Sequence, residues 1–238
     1  DDCYGKSFVD AKALLHPLIE CLNTEEIYIP NDILIKSYGI LIFGTNAVGK
    51  TSLIRSLGIA VLLAQAGFFV PCSEFTYFPY TKIFTRILGN DNMFEAQSSF
   101  GVEIIELRTI LKMMDDRSLI LGDELAKGTE NRSALLICTE GYIELAESGS
   151  SFLFATHFHE ILQFDEIKQL IECEKLFIKH MKVMYNNESG RLEYDRKLTE
   201  NSGPGMYGLE VCKSLGMSET FMKNVFKLRN KYFPEAAG

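Results

Sequence analysis

At 238 residues, with 47% apolar and 24% charged side chains, the chain has the size and composition to bury the core of one α/β domain. Its formal net charge of −8 excludes holding DNA or an anionic membrane by bulk electrostatics, though not through a local basic patch. Six cysteines lie far apart with no CxxC, which excludes a zinc or redox pair of that spacing and fits a reducing, intracellular compartment.

The chain begins at Asp1 rather than Met and is expected to be a piece of something longer. Residues 9–22 are expected to form a short amphipathic helix interrupted at His16-Pro17. The run EEIYIPNDI (25–33) alternates and reads as an edge strand, because Pro30 is tolerated only there. An apolar strand (38–43) leads through GTNAVGKTS (44–52) into a long helix. The most apolar stretch, 57–70, carries Gln65 and is too short to span a membrane. Residues 75–88 are rich in β-formers, and 100–114 have a helical apolar period. SLILG (118–122) is too short for a helix. Helix 132–146, strand 151–155 and a weaker helix near 158–171 follow. Two β-like runs, 174–185 and 191–198, flank NNESG, a hairpin turn. Helices 207–215 and 219–231 close the chain, with Ser218 as an N-cap. Strands alternating with helices predict a mostly parallel central sheet covered on both sides.

Three segments carry chemistry. Gly44, Thr45, Asn46, Ala47, Val48, Gly49, Lys50, Thr51 and Ser52 match G-x-x-x-x-G-K-[ST] between a strand and a helix, the context of a P-loop. Backbone N–H groups at the helix start would cradle phosphates. Lys50 would reach the β- and γ-phosphates, and the Thr51 hydroxyl would ligate Mg²⁺. LILGDE (119–124) is an apolar strand delivering two acids at its end. Asp123 would hold Mg²⁺ opposite Thr51, and Glu124 would orient and deprotonate the attacking water. A solvated acidic loop is the bland alternative. FLFATHFHE (152–160) is a third apolar strand, ending at Thr156-His157. Ligands of open parallel sheets sit beyond the strands' carboxyl ends, which would put His157 near the γ-phosphate. A satisfied histidine at a strand end is the commoner reading. A metal role for the His157-x-His159 pair is weaker, since no carboxylate or Cys joins it at zinc spacing.

Taken in order, these motifs resemble the ATPase domain of the MutS mismatch-repair proteins, a branch of the ABC-type P-loop ATPases. The family's GPNxxGKS stands here as GTNAVGKT, and F-T-R-I as FTRI (84–87). S-T-F-x-x-E stands as SSFGVE (98–103), DExxxGT as DELAKGT (123–129), and ATHxHEL as ATHFHEI (155–161). MYGLEVCKSLGMS (206–218) matches the terminal pattern. The resemblance implies one P-loop NTPase domain over 1–238. Within it, residues 1–37 form an adenine-side segment, 38–200 the core, and 201–238 a helix-turn-helix dimerisation segment. It implies ATP and ADP as ligands, Mg²⁺-dependent hydrolysis, and composite sites in a homodimer or a paralogous heterodimer. Tyr28 of YIPN would stack on adenine, with Arg196 covering the base. Ser98, with Ser99 beside it, would reach the partner's nucleotide. Mismatched duplex DNA would be held by other domains, weakly or not at all by this segment, and no membrane is involved.

The sequence departs from the family pattern in places. Thr45 replaces a proline, and Gly122 a bulky apolar residue. Ala126 and Lys127 stand where Gly and Arg are usual, and TENRSA replaces T-S-T-x-D-G, in a loop that faces the partner subunit in the family. Two other readings stay open. One is an ABC-type ATPase of the transporter or chromosome-maintenance class, although no LSGGQ-like signature precedes 119–124. The other is a non-catalytic module in which nucleotide joins two chains, against which Glu124 speaks. The final helix pair, with Lys223, Lys227, Arg229 and Lys231, can also be read as a DNA-binding helix-turn-helix; the resemblance places it at the dimer interface.

Overall fold

The computed structural model describes residues 5–22, 28–45, 48–86, 99–126, 128–186, 191–203 and 208–232. The central sheet is built because three apolar runs are too short for helices and too buried for loops. β3 (Gly39–Phe43), β6 (Ser118–Asp123) and β7 (Ser151–Thr156) are buried along their whole length. Their near-continuous apolar sequence is that of parallel strands covered on both faces. With β5 (Lys82–Arg86), β8 (Leu176–Asn186) and β9 (Arg191–Glu200) they form one six-stranded sheet in the order β5-β6-β7-β3-β8-β9. Every pairing is parallel except β8 with β9, the expected hairpin. Its turn, 187–190, lies outside the described residues.

Each face carries its own core. Ile40, Ile42, Leu119, Leu121, Leu153 and Ala155 point to one side, where α2 (Lys50–Gln65) packs with Leu53, Ile54, Leu57 and Val61. Leu41, Phe43, Ile120, Phe152 and Phe154 point to the other. There α3 (Ser99–Met113), α4 (Asn131–Glu147) and α5 (Asp165–Glu172) cover them, with Cys138 and Tyr142 of α4 fully buried. Burial pushes the Cys138 thiol up to about 12, so it behaves as core. The protein is therefore a mixed α/β fold with a mostly parallel sheet flanked by helices. No helix among the described residues is long and apolar enough to cross a membrane.

Gly122 has a structural reason. It pairs with Phe154, and a Cβ there would sit 1.9 Å from that ring. Gly39 meets Phe152 in the same way from the other neighbouring strand. The two phenylalanines of β7 lie across glycines, and Tyr142 closes over both at 6.4 and 5.4 Å between ring centroids. The space a side chain would take before Asp123 is filled from the adjacent strand.

The amino-terminal segment differs from expectation. Residues 8–14 are a strand, β1 (Phe8–Leu14), and only Pro17–Leu22 is helical (α1). The sequence FVDAKAL alternates, so Val9 and Ala11 face inward. A register shift between Ala11 and Leu14, with Ala13 at φ +50°, turns Leu14 inward as well. That extra apolar residue imitates a helical period. β2 spans Asn31–Ile35, later than the expected 25–33; residues 23–27 lie outside the described set. Pro30 stands just before β2, where no ladder N–H is needed. The β-rich run 75–88 is two strands broken at Pro79: β4 (Glu74–Phe78) and β5. β4 joins β1 and β2 in a separate antiparallel sheet, order β2-β1-β4, packed on α2, while β5 enters the large sheet. The expected helix 158–171 is a 3₁₀ turn (His159–Gln163) and α5, separated at Phe164. α6 (Gly208–Ser214) and α7 (Glu219–Tyr232) form the closing hairpin. Ser218 caps α7 by accepting from Phe221 N–H at 3.3 Å.

Candidate functional site

Because β3, β6 and β7 run parallel, their carboxyl ends emerge on one edge of the sheet, and each delivers one of the sequence segments there. Gly44 follows β3 at φ +146°, and Gly49 precedes α2 at φ +106°. Both values are left-handed, which explains glycine at the two ends of the loop. α2 begins at Lys50, so Lys50, Thr51 and Ser52 are its first three residues and the N–H groups of its first turn face the loop. Asn46 and Ala47 lie outside the described residues.

Lys50 is 5% exposed. Its ammonium donates to the carbonyls of Gly44, at 2.5 Å, and Thr45, at 2.8 Å. A cation is thereby stored inside the loop that a phosphate would enter. The Thr51 hydroxyl donates to Asp123 Oδ2 at 2.6 Å, joining α2 to the end of β6 across 72 positions. Asp123 and Glu124 are both nearly buried, at 9% and 7% exposure. They diverge because the backbone turns left-handed at Glu124, φ +52°. Its N–H prolongs the ladder to Ala155 O (3.1 Å), while its carboxylate swings to within 3.8 Å of His157 Nδ1. A left-handed acid at a strand end is a strained feature of the kind found at functional sites.

One cavity of about 420 Å³ gathers these groups. That volume is in the range of small-molecule and cofactor sites. Thr45, Val48, Gly49, Lys50, Thr51, Ser52, Asp123 and Glu124 line one part of it. Tyr28 and Arg196 line another, with Ile19, Ile29, Asn31 and Met181. The Tyr28 hydroxyl lies 3.2 Å from Ser56 Oγ, which donates to Ser52 O at 2.7 Å. The ring is therefore anchored on the same helix that carries Lys50 and Thr51. Burial raises the Tyr28 phenol above its ordinary value, so it stays protonated at neutral pH.

Not every expected residue lines the cavity. Gly44 contributes its carbonyl to Lys50 rather than a wall. His157 stands beside Glu124, half exposed, and does not line the cavity. Its neighbour His159 is half-buried and packs on Phe43 at 4.7 Å, so it supports the end of β3. Burial, its largest influence, holds the His159 imidazole below 6.5; Glu160 opposes the shift and His157 adds to it. Ser99 opens α3, and Ser98 falls outside the described residues. Arg86 of FTRI and Glu103 of SSFGVE meet in a nearly buried pair at 3.1 Å, and Glu106 joins from the surface at 2.9 Å. These two motifs thus brace α3 against β5.

Asn31, Ile19, Ile29 and Met181 carry no role in the sequence reading. Asn31 sits inside the quoted YIPN stretch, and its signal is a polar residue opening a strand whose other alternate positions are apolar. As for a metal, no group of three or more His, Cys, Asp or Glu residues among those described could form a complete cage. A Thr hydroxyl paired with one carboxylate suits Mg²⁺, which keeps waters and takes substrate phosphates as its remaining ligands.

The profile of MutS domain V matches residues 40–231. The chain is 38% identical to a mitochondrial DNA mismatch repair protein mutS homolog of Sarcophyton glaucum, covering 94% of this chain and 22% of that protein. It is 35% identical to DNA mismatch repair protein MutS of Chlorobium chlorochromatii over 85% of this chain and 23% of that protein. The MutS protein of Lactococcus lactis subsp. cremoris is 32% identical over 97% of this chain and 27% of its own length. The chain thus spans about a quarter of the length of these relatives.

Proposed function

From the premise that the chain belongs to the MutS family, as its domain V, we propose that it binds ATP and ADP and hydrolyses ATP with Mg²⁺, working in a longer mismatch-repair protein. The observation that carries this reading is the 2.6 Å bond between Thr51 and Asp123 beside buried Lys50, in a cavity that also holds Tyr28 and Arg196.

The residues divide the work by position. The N–H groups opening α2 and the Lys50 ammonium take the triphosphate, Lys50 exchanging two carbonyls for phosphate oxygens. Thr51 and Asp123 hold Mg²⁺, which when bound neutralises charge building on the phosphate oxygens. Glu124 accepts a proton from the attacking water. His157 stands 3.8 Å from Glu124 and would orient that carboxylate; it would donate to the terminal phosphate only after turning toward the cavity, which it does not line. Tyr28 and Arg196 enclose the base.

A second copy, or a paralogue, completes the site through its Ser98–Ser99 segment. Supporting this, the α6–α7 hairpin exposes Leu215 (78%), Leu228 (56%) and Tyr232 (61%), apolar area suited to a partner. Mismatched duplex DNA is bound by other parts of the longer protein, and the charge of −8 leaves little affinity here. ATP binding closes the dimer and hydrolysis reopens it, which passes the nucleotide state to that DNA.

The test is calorimetric titration with ATP, followed by phosphate release with and without Mg²⁺, on the isolated chain and at concentrations that force dimerisation. Expected are saturable binding, Mg²⁺-dependent release and a rate per chain that rises with dimer fraction. Binding without any release under all conditions would leave only a nucleotide-dependent dimerisation module. No binding refutes the reading.

A further inference from the structure

Three hydrogen bonds converge on one buried side chain between the two sheets. Asn31 opens β2 and is 4% exposed. Its Nδ2 donates to Arg196 O at 3.0 Å and to Ile29 O at 3.2 Å, and its Oδ1 accepts from Leu198 N–H at 2.7 Å. The Lys197 ammonium adds a bond to Pro30 O. The stretch carrying Tyr28 is thereby stitched to β9, 165 positions later in the chain.

On β9 the stitched residues form an irregularity. Met181 faces Leu198 and Val183 faces Tyr194, so Lys182 alone stands opposite Asp195, Arg196 and Lys197. Arg196 has φ +56°, which a residue bearing a Cβ adopts only where its surroundings hold it. Bulges re-aim side chains, and the residue re-aimed here lines the cavity. The groups that hold the bulge from the opposite side are those of Asn31.

We propose that Asn31 is a positioning residue that fixes the β9 bulge through Arg196 O and Leu198 N–H, and so sets where Arg196 stands relative to Tyr28 around the base of a bound nucleoside triphosphate. This rests on the nucleotide reading above. The task needs a donor and an acceptor on one short side chain, which an amide supplies. Aspartate keeps the acceptor and loses the donor; alanine loses both. Either change leaves buried backbone groups unpaired and favours relaxation of the bulge.

Base-dependent and phosphate-dependent binding separate a positioning role from a merely structural one. With the whole 238-residue chain and Mg²⁺, the dissociation constants of ATP and of inorganic tripolyphosphate are measured side by side. Asn31→Ala is expected to weaken ATP about tenfold, the scale of one base-stacking contact, and to leave tripolyphosphate within about twofold. Asn31→Asp should shift in the same direction. Glycine takes φ +56° without strain, so in an Arg196→Gly background Asn31→Ala should cost no further ATP affinity. If Asn31→Ala does not fold, Asn31→Asp and the Arg196→Gly background carry the test. Parallel loss of both ligands, or no change in either, overturns the proposal. Should the unaltered chain bind neither ligand, the nucleotide reading falls and this falls with it. ATP bound normally by the unaltered chain and equally by Asn31→Asp sinks the positioning role alone.

Discussion

The two ends of the cavity are built in opposite ways. The end bearing Lys50 and Thr51 comes from one continuous loop and the first turn of α2, joined to the end of β6 by the bond from Thr51 to Asp123. The end bearing Tyr28 and Arg196 comes from two edge segments of different sheets, held together through Asn31. A contiguous end needs only local backbone geometry to form. A composite end needs the whole tertiary fold, because its partners meet only after both sheets are in place. The first should be tolerant of change elsewhere and the second sensitive to it.

The largest expected effect tests the chemistry of the contiguous end. Glu124→Gln removes the proposed proton acceptor and keeps the shape. Steady-state phosphate release should fall by about 10²- to 10⁴-fold, the range for a lost general base. ATP affinity should hold within about threefold. Near-normal turnover would show that the left-handed acid at the end of β6 is not the base.

Lys50→Ala comes next and concerns affinity. Losing charge-assisted bonds to phosphate should weaken ATP by about 10- to 100-fold. In the proposed reading Lys50 meets the nucleotide through its phosphates, so GTP and tripolyphosphate should weaken by the same factor. Unequal losses would mean that the two ends are not separable. Tyr28→Ala should do the reverse, on a smaller scale. Its loss should weaken ATP about tenfold and spare tripolyphosphate, since stacking contributes roughly 1–3 kcal/mol per base. Equal weakening of both ligands would mean that Tyr28 acts through its Ser56 anchor on α2, not through the base.

The same contrast governs what could be read before folding. The contiguous end is legible because its nine residues carry their spacing with them, and the structure brings the described ones other than Gly44 to the wall of one cavity with Asp123 and Glu124. The parallel sheet was legible because Leu41, Ile120 and Phe154 sit in runs too apolar for anything but buried strands. Asn31 was not, because its three partners are chosen by tertiary packing. β1 was misread for a related reason: the bulge before Leu14 adds an inward residue that no local pattern distinguishes from a helical turn. The run 75–88 reads as one β-rich stretch, yet Pro79 divides it and β4 and β5 enter different sheets. Gly122 departs from the family pattern, and only the fold shows why: its cross-strand neighbour Phe154 fills the space.

The smallest effect concerns the support beneath the contiguous end. His159 packs on Phe43, the last residue of β3 before Gly44, and burial lowers its proton affinity below that of the unfolded chain. A base that is harder to protonate when folded contributes no penalty above about pH 6.5. As pH falls below that value, the unfolded chain gains the proton first, and stability declines until the folded imidazole is protonated too. The melting temperature should therefore drop more between pH 7.5 and pH 5.5 for the unaltered chain than for His159→Leu. The loss should reach the phosphate loop through β3 and leave the Asn31 stitch alone. At pH 5.5 tripolyphosphate affinity should then fall in the unaltered chain more than in His159→Leu. The ratio of ATP to tripolyphosphate affinity should stay constant. A ratio that moved with pH would show that the base-side end shares the same support, and the division of the cavity into a local and a composite half would have to be abandoned.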